Sequence, residues 1–231
     1  QIRGIGERSQ YFGEGAPNFS VGFILDDMEL SGLGMLGNLF DLNQIEVFRG
    51  PMSSVFGTNS LAGLISLRSN NPGDTLRLKS LLSSGTDNYL SLGTLLNLPV
   101  NNKLQFRFSG SILQSDGFRY NKFRESSDSN KKDEQFIRVK LNYKPLKNFK
   151  VLGTLIYAEL DNGYDSWAPD NNTGYHTYSD DNGEDSQKTL GGSVRINLNS
   201  SNKYKFTSIS AYTKTNLIHS YDGDWANDQY W

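Results

Sequence analysis

The residue patterns with the greatest chemical potential are a glycine run, two acidic stretches and two histidines. Residues 32–37, Gly-Leu-Gly-Met-Leu-Gly, match the G-x-G-x-x-G pattern that binds a dinucleotide where a strand meets a helix. Residues 38–43 leave room for barely one helical turn before the next apolar segment. A nucleotide-dependent enzyme therefore remains only a minor alternative.

The acidic stretches offer oxygen ligands that suit Ca²⁺. Residues 180–185 and 222–228 lack the spacing and the terminal bidentate Glu of an EF-hand loop, so a solvated loop is the preferred interpretation. His176 and His219 stand in polar regions without a partner at ligand spacing, and the chain has no cysteine. The sequence predicts no catalytic centre, no resident metal and no cofactor, and hence a protein that is not an enzyme.

Charge and hydropathy exclude two further classes. The chain has 231 residues, with 23 Lys and Arg against 25 Asp and Glu, and so lacks the basic footprint of a nucleic-acid-binding protein. No apolar run approaches the ~20 residues of a transmembrane helix. The N-terminus shows no signal peptide, and we expect the natural chain to begin upstream.

Long segments of alternating apolar and polar residues begin at Thr75 and predict β-strands. The pattern is clearest in residues 103–113, 135–144 and 190–199. One face of these segments carries Leu104, Phe106, Phe108, Ile137, Val139, Leu141, Val194 and Ile196. The other face carries Arg107, Arg138, Lys140 and Arg195.

The connections between these segments differ in length. Residues 99–102, 145–148 and 200–202 are short turns, whereas residues 116–133 and 161–187 are long and polar. Short turns at one end and long loops at the other are typical of an outer-membrane β-barrel. A soluble barrel or sandwich would give the same alternation, and only the direction of the two faces separates these alternatives.

A motif in residues 44–72 carries a family resemblance. It reads Gln-Ile-Glu-Val-Phe-Arg-Gly-Pro, then Phe-Gly, then Gly-Leu-Ile-Ser-Leu, and ends on Pro72. This closely resembles the plug signature of TonB-dependent receptors. Residues 2–4, Ile-Arg-Gly, and residues 23–27, Phe-Ile-Leu-Asp-Asp, resemble the family's upstream segments. Asp27 departs from the pattern, because Gly is common there.

The resemblance implies a mainly β fold in two parts. Residues 1–72, which contain short apolar runs between glycine-rich segments, would be a small α/β plug domain whose N-terminal part is missing. Residues 73–231 would be the truncated N-terminal part of an antiparallel transmembrane β-barrel, with about seven strands.

The resemblance also implies functional residues. A plug apex that contacts ligand would comprise Gln10, Tyr11, Phe12, Gly13, Glu14 and Met35. The motif residues expected to shape the plug or to meet the barrel are Glu46, Arg49, Gly50, Pro51, Gly57 and Gly63. The alternatives are an ordinary glycine-rich loop at the apex and a local surface pair of Glu46 and Arg49, worth ~0–1 kcal/mol.

The function that the resemblance implies is TonB-dependent uptake of a scarce nutrient across the bacterial outer membrane. A ferric siderophore is the expected ligand, with cobalamin, haem or an oligosaccharide as other possibilities. The expected partners are TonB, bound through a segment before Gln1, the ligand and outer-membrane lipid, with no nucleic acid. The alternative is a passive or adhesive barrel without energised transport.

Overall fold

Two β-sheets of different size pack against each other in this chain. The computed structural model describes residues 2, 20–31, 40–56, 59–201 and 204–230. Within these residues, no helix is both long and apolar enough to span a membrane.

The smaller sheet, here called the plug sheet, has four short strands and lies within the first 69 residues. Its strands are β1 (Val21–Leu25), β2 (Met28–Glu29), β3 (Leu42–Arg49) and β4 (Gly63–Ser69), and α1 (Ser53–Phe56) is a single helical turn. The spatial order is β2-β1-β4-β3, with β1 parallel and β3 antiparallel to β4. The short apolar segments around β1, β3 and β4 therefore form a sheet separate from the larger one.

Two motif glycines explain how the chain turns between β3 and β4. Gly50 follows β3 directly with φ +103°, and Gly63 opens β4 with φ +155°. A Cβ on Gly63 would stand 2.5 Å from the carbonyl oxygen of Phe48, so no larger residue fits without a backbone shift. Pro51 has no N–H to donate and ends the strand. Gly57 lies outside the described residues.

The larger sheet, here called the wall, contains seven long strands. In chain order the remaining strands are β5 (Arg77–Ser84), β6 (Leu90–Asn101), β7 (Leu104–Ser115), β8 (Tyr120–Asn121), β9 (Lys132–Leu146), β10 (Phe149–Gly163), β11 (His176–Thr177), β12 (Glu184–Ser201) and β13 (Tyr204–Ser220). The wall has the order β13-β12-β10-β9-β7-β6-β5, and every adjacent pair is antiparallel. The predicted fold class is confirmed. Strands β8 and β11 lie in the long loops and pair with each other.

The two faces of the wall differ in polarity as the sequence predicted for a membrane barrel. Arg107 is 8% exposed and turned toward the plug sheet, whereas its neighbour Phe108 is 39% exposed on the opposite face. Phe108 pairs with Val139, and Val139 pairs with Leu155, so one apolar row crosses three strands on the outer face. A soluble sandwich would bury this row and expose the arginine.

The outer face carries an apolar band of defined height. On β10, the outward positions from Phe149 to Tyr157 bear no charge, and Glu159 is the first charged residue. On β12, Leu190 to Leu198 are likewise uncharged on this face, and Lys188 pairs with Glu159 at 3.1 Å. Each stretch matches the ~9–11 residues that a tilted strand needs to cross a bilayer core.

Candidate functional site at the interface of plug sheet and wall

Four cations form a strip along the inner face of the wall. This cationic strip consists of Arg107, Arg138, Lys140 and Arg195, which come from β7, β9 and β12. Arg107 lies directly opposite Lys140 in the β7–β9 pairing, an arrangement that is destabilising for like charges. The side chains of Arg138 and Lys140 are only 1% and 3% exposed. Buried cations at this spacing require nearby anions.

Three aspartates of residues 1–72, here called the plug region, supply those anions. Asp41 accepts a hydrogen bond from Nε of Arg107 at 2.7 Å and lies 3.8 Å from Nη2 of Arg138. Asp26 accepts from Nζ of Lys140 at 3.2 Å. Asp27 accepts from both Nε and Nη2 of Arg195. Every member of the cationic strip therefore faces a carboxylate.

All three aspartates adopt left-handed backbone conformations. Their φ angles are 47° at Asp26, 73° at Asp27 and 60° at Asp41. Asp26 and Asp27 are the two central residues of the hairpin in which Leu25 pairs with Met28. Two-residue hairpins favour positive φ at both positions, and Asp tolerates this region better than most residues. The tight turn therefore projects two adjacent carboxylates toward the wall.

Hydrogen bonds to uncharged groups complete the charged interface. Nζ of Lys140 donates to Oγ of Ser69 at 2.9 Å, and the N–H of Ser69 donates to Oδ1 of Asp26 at 3.0 Å. Oγ of Ser193 donates to the carbonyl oxygen of Asp26 at 2.9 Å. Such additional bonds offset the desolvation cost that otherwise makes a buried ion pair unfavourable.

An apolar core surrounds these ion pairs and joins the two sheets. It comprises Leu25, Met28, Leu30 and Leu67 of the plug region with Phe136, Ile156 and Ala158 of the wall. Met28 and Ile156 are both fully buried. Gly191 makes room for them, since a Cβ there would stand 3.0 Å from Ile156 and 3.1 Å from Met28. Burial of each large side chain contributes about 1.5–3 kcal/mol.

The structure describes only some of the residues that the plug motif predicts. Glu46 lies 3.5 Å from Arg68 on the neighbouring strand and accepts a hydrogen bond from Gln44, while Arg49 is exposed. Contact of Glu46 or Arg49 with barrel strands stays a prediction. The apex residues lie outside the described residues, and their role also stays a prediction: Gln10, Tyr11, Phe12, Gly13, Glu14 and Met35.

The alternating pattern predicts the cationic strip but does not predict the three aspartates that pair with it. Asp26, Asp27 and Asp41 each belong to a short turn, where an acidic residue is unremarkable in composition. The departure from glycine at position 27 was the available signal, because an Asp in place of Gly at such a turn has a conformational cost that calls for a compensating contact.

The two long loops of the wall form one ordered unit. Asp165 is 2% exposed and accepts hydrogen bonds from Nδ2 of Asn121 at 3.0 Å, Oγ1 of Thr177 at 2.6 Å and Oγ of Ser179 at 3.1 Å. Asn121 belongs to residues 116–131 and the other three residues to residues 164–183. One buried carboxylate thus joins both loops.

Aromatic side chains are concentrated on this loop unit. Phe118 and Tyr175 meet edge to face across the two loops, with ring centroids 5.6 Å apart. Tyr221 stacks on Trp225 in the following loop at 5.3 Å. The exposed aromatic side chains of the two long loops include Phe118, Tyr120, Phe123, Trp167 and Tyr175.

The acidic loop residues serve local hydrogen bonds. The hydroxyl of Tyr178 donates to Asp170 at 2.7 Å; this bond raises the pKa of Tyr178 to about 12, and the pKa of Asp170 is lowered mainly by its bonds from Asn172 and Tyr178. Asp222 accepts the N–H groups of Asp180 and Asp224, and burial raises its pKa. In the part of the chain that the structure describes, no group of three or more His, Asp or Glu could hold a metal ion.

A small sheet held by ion pairs on the polar face of long antiparallel strands, whose other face carries an apolar band, is the arrangement expected for part of a plugged β-barrel. The chain has the fold of the TonB-dependent outer-membrane receptors, which confirms the resemblance of its plug motif at the level of the fold.

Solved structures of outer-membrane receptors support this assignment. The ferric yersiniabactin uptake receptor FyuA from Yersinia pestis superposes with a TM-score of 0.75 and 18% identity, over 89% of this chain and 33% of that chain. The siderophore receptor PiuA from Acinetobacter baumannii gives 0.70 and 17%, over 85% and 29%. No family model matches.

One curated relative adds a match in sequence. The vitamin B12 transporter BtuB from Vibrio vulnificus is 28% identical over 132 residues, which is 54% of this chain and 22% of the relative. This chain therefore spans about a fifth of that relative and about a third of the solved receptors.

Proposed function

We propose that this chain belongs to a receptor that takes up a scarce nutrient across the bacterial outer membrane with energy from TonB. Residues 1–72 would be the plug and residues 73–231 the beginning of the barrel. The observation that carries the proposal is the interface of Asp26, Asp27 and Asp41 with the cationic strip, because it seats a plug inside the wall.

The proposed location is the outer membrane, with the apolar band in contact with lipid. Side chains such as Phe108, Ile137 and Leu155 are 39–53% exposed on the outer face, where burial in lipid would be favourable. The charged row at Glu159 and Lys188 would then lie at the interface with the lipid headgroups.

A ferric siderophore is the proposed ligand. PiuA is a siderophore receptor and FyuA a ferric yersiniabactin uptake receptor, which supports this class, while the vitamin B12 transporter supports cobalamin as the second candidate. The aromatic loop unit would face the incoming ligand, since rings provide large and rigid contact surfaces. Tyr11 and Phe12 at the plug apex are proposed to contact it from below.

TonB is the proposed energising partner. It would bind a segment that precedes Gln1, as the resemblance implies. Glu46 and Arg49 lie on the strand at the far edge of the plug sheet, and we propose that they meet barrel strands beyond residue 231.

Growth on defined nutrient sources tests this function. The full-length receptor would be expressed in a host without siderophore or cobalamin receptors of its own, with and without TonB. Under iron limitation we expect growth on at least one member of a ferric siderophore panel that includes ferric yersiniabactin, and only when TonB is present. Growth on cyanocobalamin alone would reassign the ligand. Nutrient entry that does not depend on TonB would favour the passive barrel.

A further inference from the structure

The hairpin of β1 and β2, residues 21–29, contacts four consecutive strands of the wall. Lys140 on β9 bonds Asp26, and Ile156 on β10 shares the apolar core with Met28. Further along the wall, β12 contributes Ser193 and Arg195, and Thr213 on β13 donates to the carbonyl oxygen of Glu29 at 3.4 Å.

Asp27 occupies the least favourable position of this hairpin for a residue with a side chain. Its φ is 73°, at the second central position of a two-residue turn, where glycine is preferred. Its carboxylate accepts two hydrogen bonds from the guanidinium of Arg195, in a geometry that fixes both distance and orientation. The side chains are 24% and 35% exposed, so the pair is partly shielded from water.

We propose that Asp27 and Arg195 are positioning residues that keep the hairpin attached to the wall throughout transport, so that the plug opens along another flank. This inference rests on the proposed function. Beyond a general role in stability, the pair would determine which part of the plug stays on the wall while ligand passes.

The cost of detaching the hairpin supports this assignment. Separation would leave Lys140 and Asp26 without their buried partner and would expose Met28, which is fully buried. Three kinds of contact would have to break together: the ion pairs, the hydrogen bond of Ser193, and the apolar core.

Among the described residues, a cavity lies on the flank of the plug region away from the hairpin. It has a volume of about 1040 Å³ and is lined by residues of the plug region, of β5 to β7 and of the beginning of β9. It extends from Gly73 and Arg77 near the short turns to Tyr89 and Lys132 near the loops. Ligand could therefore pass along this side of the wall with the hairpin in place.

A crosslink tests the proposal during transport. The described chain contains no cysteine, so Asp27→Cys with Arg195→Cys in the receptor can be joined by a short bis-methanethiosulfonate reagent, whose disulfide links to the two cysteines can later be reduced. The matched control is Ser80→Cys with Thr94→Cys, whose hydroxyls lie 3.1 Å apart within the wall. Uptake of radiolabelled ferric yersiniabactin and cyanocobalamin would be plotted against the crosslinked fraction, measured by mass spectrometry.

The expected result is uptake per receptor that does not change with the crosslinked fraction in either pair. Uptake that falls in proportion to the crosslink between positions 27 and 195, with the control pair unaffected and activity restored by reduction, would overturn the proposal. If the uncrosslinked receptor takes up neither probe, the ligand assignment has failed. Hydrogen exchange then decides whether Asp27 and Arg195 hold the hairpin on the wall.

Hydrogen exchange tests whether Asp27 and Arg195 hold the hairpin on the wall, and it needs no ligand. In Asp27→Gly the turn gains its preferred residue but loses the ion pair, whereas Asp27→Asn keeps a residue that tolerates positive φ and loses only the charge. We expect the amides of residues 25–28 to exchange roughly tenfold faster in both variants. Arg195→Lys with Asp27 intact should keep part of the protection, because the pair retains both charges but loses the two-bond geometry. Unchanged or slower exchange in Asp27→Gly would show that turn conformation alone sets the hairpin's stability. It would overturn the proposed role of the Asp27–Arg195 pair.

Discussion

At the scale of single residues, one carboxylate serves two arginines. Asp41 is 1% exposed and accepts from Arg107, while Arg138 donates to the carbonyl oxygens of Phe40 and Asp41. The turn at Asp41 is thus held by both its side chain and its backbone. This density of polar contacts is what a buried charge requires, because each unmet group would retain its full desolvation cost.

Replacement of Asp41 by Asn is expected to destabilise the seated plug by about 3–5 kcal/mol, because Arg107 and Arg138 would stay buried without a counter-charge. Thermal unfolding of the full-length receptor, followed by protease sensitivity of the plug, measures this loss. The matched control is Asp161→Asn, since Asp161 forms an exposed pair with Lys131 at 3.0 Å that is worth about 0–1 kcal/mol. Equal shifts in the two variants would contradict the assignment.

The bond between Tyr178 and Asp170 predicts a defined dependence on pH. Because the pKa of Tyr178 is raised to about 12, the bond's contribution to loop stability is complete below the ordinary tyrosine pKa and is lost as the pH rises through about 12. The pKa of Asp170 is lowered, so the same contribution is present above the ordinary Asp value and is lost as the pH falls through the lowered one. The difference in tyrosinate absorbance between the native receptor and Tyr178→Phe should titrate well above pH 10. Titration of that difference near pH 10 would refute the hydrogen bond.

A residue's position could be predicted from the sequence where neighbouring residues determine it, and could not where a contact with a distant residue determines it. Arg107 and Lys140 were assigned to the inner face because a strand has a period of two. Their partners Asp41 and Asp26 could not be assigned, because ion pairing across 66 and 114 positions of sequence is set by tertiary packing. Gly50 and Gly63 were predictable because the conformations they adopt are favoured by glycine.

At the scale of elements, the loop unit shows how a few buried bonds can order long connections. Strands β8 and β11 contribute only two pairings, Tyr120 with His176 and Asn121 with Thr177. These pairings have no periodic signature in the sequence, and two-residue strands cannot be predicted from alternation. The long wall strands could be predicted, because their alternation extends over ten or more residues.

Replacement of Asp165 by Ala is expected to release both long loops together. Asn121 and Thr177, each fully buried, would lose the acceptor they share, at about 1–3 kcal/mol for each unsatisfied donor. Hydrogen exchange in residues 116–131 and 164–183 should rise in parallel. Asp128→Ala, at an exposed position of the first loop, provides the control. Faster exchange in only one of the two loops would show that Asp165 does not join them.

At the scale of the whole molecule, polarity is arranged in reverse of a soluble protein. Buried charges lie between the plug sheet and the wall, and the apolar band faces outward. The alternating sequence is compatible with either arrangement, so the alternation alone could not decide between them. The plug motif pointed to the correct one, and the contacts of Arg107 and Arg138 confirm it.

We propose that Asp26, Asp27 and Asp41 hold the plug in place and thereby close the barrel, and solute flux through the reconstituted full-length receptor measures this. Proteoliposomes with the native receptor should not swell in small sugars, whereas Asp26→Asn, Asp27→Asn and Asp41→Asn combined should admit them, because the cationic strip would repel itself and release the plug. A wild-type receptor that passes sugars as freely as an open porin, or a triple variant that stays as tight as the native receptor, would show that the three aspartates do not hold a closing plug.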